Sequence, residues 1–189
     1  MIVSSGLGLA SPKHPVTEDV DEPVVSPYPR SPEQAARAMS LQGVNVKVVR
    51  LSQVHNKMKQ GLITTLIAVA RQKGVSAYVG EGLNRWPAAH VLDVARLYRL
   101  ALEKREPARY HAVAEDGISL RDIAEAIGPG LKIPVVSIPP EEAVAHFGFV
   151  GMFAGLDLSA SSAITQQRLG WLPTGPGLIE DLNNMRYFD

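Results

Sequence analysis

Cysteine is absent from the 189 residues of this chain. Its absence excludes disulfides, thiolate nucleophiles and metal centres with cysteine ligands. An excess of charge of one sign is also lacking, because 19 Lys and Arg residues balance 19 Asp and Glu residues. A chain without net charge has no electrostatic footprint for nucleic acid or for an anionic membrane surface. The sequence therefore predicts no nucleic-acid partner and no membrane partner.

Long hydrophobic runs are missing as well. The longest one, around residues 62–70, is far shorter than the roughly 20 residues of a membrane-spanning helix. No basic flank precedes the short apolar start, so the N-terminus does not resemble a signal peptide, and we expect a cytoplasmic protein. The five histidines lie far apart without paired i, i+4 spacing, so we predict no metal site.

A glycine-rich phosphate loop is not evident either. Gly6 and Gly8 follow an apolar, β-type run at residues 1–5, but Pro12 and Pro15 then interrupt the chain. A dinucleotide fingerprint needs a third glycine and a helix that begins directly behind it. Residues 11–30 instead contain five prolines and an acidic cluster, which favour an extended surface loop.

Helix and strand patterns nevertheless alternate along the chain. Apolar content is 46% and charged content 20%, which is typical of a globular protein large enough to bury a core. Short β-type runs predict strands at residues 1–5, 44–51, 109–114 and 133–138. Apolar periodicity and end signals predict helices at residues 33–41, 60–73, 91–104, 120–127, 140–147, 159–169 and 178–185.

Residues 26–32 read Ser-Pro-Tyr-Pro-Arg-Ser-Pro. They resemble the Ser-Pro-Tyr-x-x-Ser-Lys box of extended short-chain dehydrogenase/reductases, the family of nucleotide-sugar epimerases and dehydratases. The resemblance implies that Tyr28 is the catalytic tyrosine and that Ser5 is the catalytic serine. The lysine of the family falls on Pro32. A free phenol has a pKa near ~10, so a tyrosine that accepts a proton from an alcohol needs a nearby cation, which Pro32 does not supply.

The same residues also have a structural interpretation. Ser31, Pro32 and Gln34 have the pattern of a helix start, as N-cap, first helical residue and capping-box partner. We favour this interpretation of Ser31 and Pro32 over a chemical role. Tyr28, between two prolines, is equally consistent with a turn tyrosine, so its role stays open.

The segment Val-Val-Arg-Leu-x-x-Val-His at residues 48–55 looks like the strand and loop of that family that pass the nicotinamide. For Arg50 we favour the closing of a strand end on a carboxylate over contact with substrate. The resemblance implies NAD or NADP as cofactor, contacted by Ser4, Gly6, Ser52, Val54 and His55.

Residues 78–95 resemble the Gly-x-Gly, Arg and His-Val-x-Asp-Val-Ala block of the family, in which the Arg binds a substrate diphosphate. This similarity implies that Arg85, Trp86 and His90 bind substrate. When His90 and Asp93 are aligned, however, the arginine of the family falls on Trp86, and Arg85 is displaced by one position. Trp86 is also consistent with a packed apolar wall, which we slightly favour.

The tail, with Leu-Gly-Trp-x-Pro at residues 169–173, resembles the C-terminal end of the same family. The implied fold class is α/β. Residues 1–108 would form the C-terminal part of a Rossmann-type NAD(P)-binding domain with a parallel sheet, and residues 109–189 a small α/β substrate-binding lobe packed on it. Because the glycine-rich first half is missing from this sequence, we expect a truncated or split member that binds either cofactor weakly by itself.

Three functions remain open at this stage. The first is an oxidoreductase or epimerase acting on an alcohol or ketone carbon of a small substrate, with a separate N-terminal half or a second copy as partner. The second is a non-catalytic remnant that keeps the fold. The third is an interaction module that pairs its open sheet edge with another chain.

Overall fold

The computed structural model describes residues 1–7, 15–20, 32–106 and 108–187. Strands and helices alternate along these ranges. The strands are β1 (Ile2–Gly6), β2 (Lys47–Leu51), β3 (Gln53–His55), β4 (Ser76–Val79), β5 (Arg85–His90), β6 (Ala108–Ala112), β7 (Glu115–Ser119) and β8 (Val135–Ile138). The helices are α1 (Pro32–Leu41), α2 (Ile63–Lys73), α3 (Val91–Glu103), α4 (Leu120–Leu131), α5 (Ala143–Phe147), α6 (Ala163–Leu169) and α7 (Leu178–Asn184), with 3-10 helices at Pro140–Glu142 and Gly148–Met152.

The first sheet consists of β1, β2 and β6 in that order, with both pairs of strands parallel. Its register places Ser5 beside Arg50 and Arg50 beside His111. The prediction that the first apolar run and residues 44–51 share one parallel sheet is therefore confirmed. The division of the chain after residue 108 falls at the start of β6, which is a strand of this sheet, and the division itself stays a prediction.

The remaining strands form two smaller sheets. β5 pairs in parallel with β3 and antiparallel with β7, and β4 pairs in parallel with β8. Ser52 alone separates the end of β2 from the start of β3, so the chain passes from the first sheet to the second at this residue. The pairing of β3 with β5 sets His55 opposite His90, which places these two histidines at the carboxyl ends of neighbouring parallel strands.

Several helix ends follow the signals in the sequence. Pro32 begins α1, and Gly74 ends α2 in the left-handed conformation, with φ of 69° and its N–H donated to Ala70 O. Ser119 caps α4, because its hydroxyl accepts the N–H of Asp122.

The predicted end of α4 at Gly128 is wrong. The helix runs on to Leu131 through Pro129, and Lys132 takes the left-handed conformation in its place. Gly128 packs closely against β8, since a Cβ atom at this position would lie 2.5 Å from Val135 Cγ2. The glycine therefore permits close helix–strand contact and does not end the helix.

Two clusters of buried apolar side chains hold the elements together. The larger joins α2, α4, α5 and α7 to β5 and includes Trp86, and the smaller surrounds Leu97 of α3 and includes Trp171. Both tryptophans are almost completely buried, at 0% and 1% exposure. In the described part of the chain, no helix is both long and apolar enough to cross a membrane.

Candidate functional site

Ser5, near the carboxyl end of β1, lies beside a buried ion pair. Arg50 of β2 is 0% exposed, and its guanidinium makes two contacts with Glu33 of α1, Nε to Oε1 at 2.7 Å and Nη2 to Oε2 at 3.0 Å. Ser5, the strand neighbour of Arg50, also helps to lower the pKa of this carboxylate. The favoured interpretation of Arg50, as a charge that closes a strand end on a carboxylate, is confirmed.

Burial and the charges of this network shift the pKa values of Glu33 and His111. Burial by itself would raise the pKa of Glu33, but the hydrogen bonds and charge of Arg50 hold it below its usual value. Burial lowers the pKa of His111 to about 4, and Arg50 adds to that effect. His111 is therefore neutral at neutral pH, and its Nδ1–H donates to Ser161 O at 2.8 Å, because a carbonyl oxygen only accepts.

Ser4 and Gly6, which the resemblance assigns to the cofactor, are exposed on β1. Ser4 points to the face opposite Ser5, because successive strand residues alternate, and its Oγ lies 2.6 Å from the hydroxyl of Tyr98. A Cβ atom added to Gly6 would meet no atom within 4 Å. This end of β1 is thus accessible in the described part of the structure.

Ser52 links β2 to β3, and Val54 lies within β3; both residues are half-buried. The hydroxyl of Ser52 donates to Ala112 O at 2.6 Å, so it joins the ends of β2 and β6. A cofactor role of these two residues stays a prediction.

A second polar cluster contains His55, His90, Asp181 and Glu115. Nδ1 of His55 lies 2.8 Å from Oδ2 of Asp181, and Nε2 of His90 lies 3.9 Å from the same oxygen. Glu115 approaches from β7, with Oε2 4.0 Å from His55 Nε2. The side chains of His55 and Asp181 are 0% and 1% exposed, whereas that of Glu115 is 35% exposed. The cluster is therefore buried, with one carboxylate at its solvent side.

Burial and the neighbouring carboxylates shift the pKa of His55 in opposite directions. Burial lowers its pKa, whereas the hydrogen bond and charge of Asp181 and the charge of Glu115 raise it, and the net pKa lies below the ordinary value. Asp181 was not among the candidate residues. Its only local signal is an acidic residue in the first turn of a short helix, and that pattern is satisfied by the helix dipole alone.

Two carboxylates, Asp93 and the Glu115 of the cluster itself, hold the segment before α7 in place. Asp93, 1% exposed, accepts the N–H groups of Thr174 at 3.1 Å and Gly175 at 2.8 Å, and pairs with Arg96. Glu115 accepts the N–H of Leu178 at 2.8 Å. An open cleft of about 580 Å³ borders this segment and is lined by His90, Arg96, Arg99 and Pro176, among others.

The residues assigned to substrate lie at different ends of β5. Arg85, at its start, pairs with Asp157 at 2.8 Å and donates to Ser159 at 3.1 Å. Trp86 is fully buried in the larger core, as expected for an apolar wall, and His90 ends the strand. The structure thus brings His90 together with His55, and ties Arg85 to a different carboxylate. Their roles in binding stay predictions.

Tyr28 and Ser31 lie outside the described residues, together with the rest of residues 26–31; of the Ser-Pro-Tyr segment the structure describes Pro32. Across the ranges that the structure describes, no three or more His, Asp and Glu side chains group together in a way that could hold a metal ion.

A comparison with family models identifies one match, over residues 4–113, to the NAD dependent epimerase/dehydratase family. The chain belongs to this family. An uncharacterized protein of Schizosaccharomyces pombe, C2A9.02, is 47% identical over 168 residues, which are 86% of this chain and 57% of that protein. An uncharacterized protein of Saccharomyces cerevisiae, YLL056C, is 44% identical over 152 residues, which are 79% of this chain and 51% of that protein. The chain thus spans little more than half the length of these family relatives.

Solved structures of epimerases and dehydratases share its fold. MoeE5 in complex with UDP-glucuronic acid and NAD has a TM-score of 0.72 at 19% identity, covering 98% of this chain and 62% of MoeE5. The dTDP-glucose 4,6-dehydratase of Bacillus anthracis, in complex with NAD, has a TM-score of 0.70 at 17% identity, covering 98% and 60%. These neighbours confirm the α/β, Rossmann-type fold class of this family member.

Proposed function

We propose that this chain takes part in NAD(P)-dependent oxidoreductase or epimerase chemistry at an alcohol or ketone carbon of a small substrate. The observation that carries the proposal is the parallel sheet of β1, β2 and β6 within the matched region, with Ser4, Ser5 and Gly6 at its carboxyl edge. Open α/β sheets bind their ligands at this edge. The NAD in the structures of MoeE5 and the dehydratase supports NAD or NADP as the cofactor.

The pyrophosphate of such a cofactor needs a glycine-rich turn at a helix N-terminus. Two glycines, Gly175 and Gly177, do precede α7, but the N–H groups of Gly175 and Leu178 already donate to carboxylates of this chain, those of Asp93 and Glu115. None of the helices α1 to α6 begins behind a turn with two glycines. We therefore propose that a nucleotide-binding unit pairs with the outer edge of β1, either within a longer polypeptide or as a separate chain.

The hydrogen bonds of β1 support that arrangement. Met1 O accepts from Lys47 N at 2.9 Å, and Leu7 N donates to Leu51 O at 3.2 Å. Alternate residues of a parallel strand bond to the same neighbour, so the N–H and C=O groups of Ile2, Ser4 and Gly6 point away from β2. In the described ranges β1 is an edge strand with only β2 beside it, and such an edge accepts another strand.

The proposed substrate class is a small molecule with an oxidisable carbon. MoeE5 was solved with UDP-glucuronic acid, and an epimerase of Thermotoga maritima with UDP-glucose. If Arg85 binds a diphosphate in this chain, the anion has to displace the Asp157 carboxylate that now pairs with it. Trp86 would act as an apolar wall behind the site, and a cytoplasmic location remains part of the proposal.

A second candidate is a non-catalytic member that keeps the fold. Pro32 stands at the lysine position and begins α1, and the next residue, Glu33, binds Arg50. Neither residue supplies a cation to Tyr28.

The test combines binding with turnover. NAD(H) and NADP(H) are titrated into the chain by calorimetry, with an expected Kd of order millimolar or weaker; micromolar binding would contradict the need for a further nucleotide-binding unit. Turnover of UDP-glucose and dTDP-glucose is then followed at saturating cofactor. The absorbance of the reduced nicotinamide reports a net oxidation, and chromatography of the sugar product reports an epimerisation, which returns the hydride and leaves no net reduced cofactor. Turnover that is lost in Ser5→Ala supports the enzyme, and binding without turnover supports the non-catalytic candidate.

A further inference from the structure

Asp181 is a buried carboxylate of α7 that faces two histidines at once. Its Oδ2 atom lies 2.8 Å from Nδ1 of His55 and 3.9 Å from Nε2 of His90. The two imidazole rings meet edge to face, with centroids 5.6 Å apart and an interplanar angle of 74°. A single carboxylate oxygen is therefore approached by different ring nitrogens of the two histidines.

The backbone of α3 determines the protonation of His90. His90 is the N-cap residue of this helix, and its Nδ1 accepts the N–H of Leu92 at 3.3 Å. A ring nitrogen that accepts a hydrogen bond carries no proton. The single proton of neutral His90 therefore lies on Nε2, which is the nitrogen that faces Asp181.

His55 has the opposite arrangement. Its Nδ1 lies within hydrogen-bonding distance of a carboxylate, which only accepts, so Nδ1 carries the proton. Its Nε2 then has a lone pair, lies 4.0 Å from Oε2 of Glu115, and has no hydrogen-bond partner in the described part of the chain.

We infer that Asp181 is a positioning residue that holds His55 in the Nδ1–H tautomer and His90 in the Nε2–H tautomer. This inference rests on the proposed function, together with the family resemblance that assigns His55 to the cofactor and His90 to the substrate. A carboxylate beside a histidine commonly selects its tautomer and ring orientation. Here one carboxylate acts on both rings, and it comes from a helix that the sequence did not associate with the site.

Burial makes this selection strong. A 180° flip of the His55 ring would place a C–H group against Asp181 and leave a buried carboxylate without that donor, and an unpaired buried charge is costly. The other oxygen of Asp181, Oδ1, already has no hydrogen-bond partner among the described residues. The hydrogen bond from His55 is thus a main contact that stabilises the buried charge of Asp181.

The test measures tautomers directly, through two-bond ¹H–¹⁵N correlations of the histidine rings at a pH well above the ordinary histidine pKa. In the wild type we expect Nδ1–H for His55 and Nε2–H for His90. Asp181→Ala should reduce the preference of His55 for Nδ1–H by roughly tenfold or more, as expected for loss of a charge-assisted hydrogen bond. Glu180→Gln removes an exposed carboxylate one residue away in the same helix, and should leave both tautomers unchanged.

Asp181→Asn preserves the shape of the side chain and decides the matter if the alanine variant does not fold. Asn has no charge, so the His55 pKa should fall below that of the wild type, while Glu180→Gln should leave it in place. An Nε2–H tautomer of wild-type His55, or a His55 pKa that Asp181→Asn does not change, would overturn the inference. These spectra need no cofactor, so a wrong tautomer prediction would leave the proposed function standing. If both tautomers are as predicted but no turnover is found, the result counts against the proposed function alone.

Discussion

Arg50 and Glu33 form a two-contact ion pair that joins β2 to α1, with nitrogen–oxygen distances of 2.7 and 3.0 Å. Arg50 is fully buried, and the side chain of Glu33 is 13% exposed. Glu33 directly follows Pro32, at which the family resemblance places its catalytic lysine. An acidic residue that neutralises a buried arginine thus stands beside the position where the resemblance expects a cation.

The first prediction concerns the stability that this pair provides. Glu33→Ala leaves the guanidinium of Arg50 buried without its carboxylate, and such a loss costs about 3–5 kcal/mol. Glu125→Ala is the matched control, because Glu125 pairs with Arg121 on the surface, where both side chains are about half exposed, and should cost less than about 1 kcal/mol. Urea unfolding measures both variants, and equal losses would contradict the prediction.

Acid should destabilise the fold in two steps. The folded pKa of His111 is about 4, below the ordinary 6.5, so the unfolded chain binds the proton more tightly. The stability from neutral His111 is therefore fully present above 6.5 and is lost as pH falls toward about 4. At about 1.4 kcal/mol per pKa unit, the loss is of order 3 kcal/mol. Glu33, with its lowered pKa, adds a further loss at lower pH.

Urea unfolding midpoints across this pH range test the assignment. His111→Gln cannot take up this proton, so its stability should fall less than that of the wild type in the upper part of the range. His55, whose pKa is also lowered, still contributes there, and Glu33 causes the later loss. A wild-type midpoint that stays constant as His111 titrates would show that this histidine is not held neutral in the folded chain.

Tyr28 should titrate as an ordinary phenol, near ~10. Position 32 is a proline that begins α1, and the guanidinium of Arg50 is bound to Glu33, so neither supplies the cation that would lower the pKa of a phenol. An ultraviolet pH titration of the wild type against Tyr28→Phe isolates this residue from the other four tyrosines. A difference transition below about pH 8.5, some 1.5 units under the reference value, would reveal a working base.

Two glycines of the Gly-x-Gly sequence before β5 should differ in their tolerance of alanine. Gly80 and Gly82 both have positive φ, +58° and +69°, so alanine at either costs about 1–2 kcal/mol of backbone strain. A Cβ atom at Gly82 would also lie 2.6 Å from Tyr78 Cδ2 and 2.7 Å from Arg121 Cβ, whereas one at Gly80 meets nothing within 4 Å. Gly82→Ala should therefore lose about 1–3 kcal/mol more than Gly80→Ala in thermal or urea unfolding; equal losses would rule out the packing role.

Local signals predicted the elements better than the contacts between them. Gly74 could be assigned to a helix end because that signal rests on neighbouring residues. The placing of the first apolar run and residues 44–51 in one parallel sheet rested instead on the order of the motifs that resemble the family. Gly128 carried the same helix-end signal, yet its role depends on Val135 of a different element. The carboxylate partner of Arg50 could be expected as a type, but nothing in the sequence identified it as Glu33.

The contact of Asp181 with His55 is the clearest example of a pairing that could not be predicted from the sequence. It lies 126 positions from His55, and no periodicity or motif connects residues at that separation. Its pairing follows from the register of β3 and β5 and from the packing of α7 against β5, which are properties of the folded chain.

The contacts of α7 and its preceding segment also order events during synthesis. The hydrogen bonds that Gly175 donates to Asp93, Leu178 to Glu115 and His55 to Asp181 span 82, 63 and 126 residues. A ribosome adds about 5–20 residues per second, so β3 and β5 emerge seconds before α7 exists. The two histidines acquire their shared carboxylate only after α7 has left the ribosome.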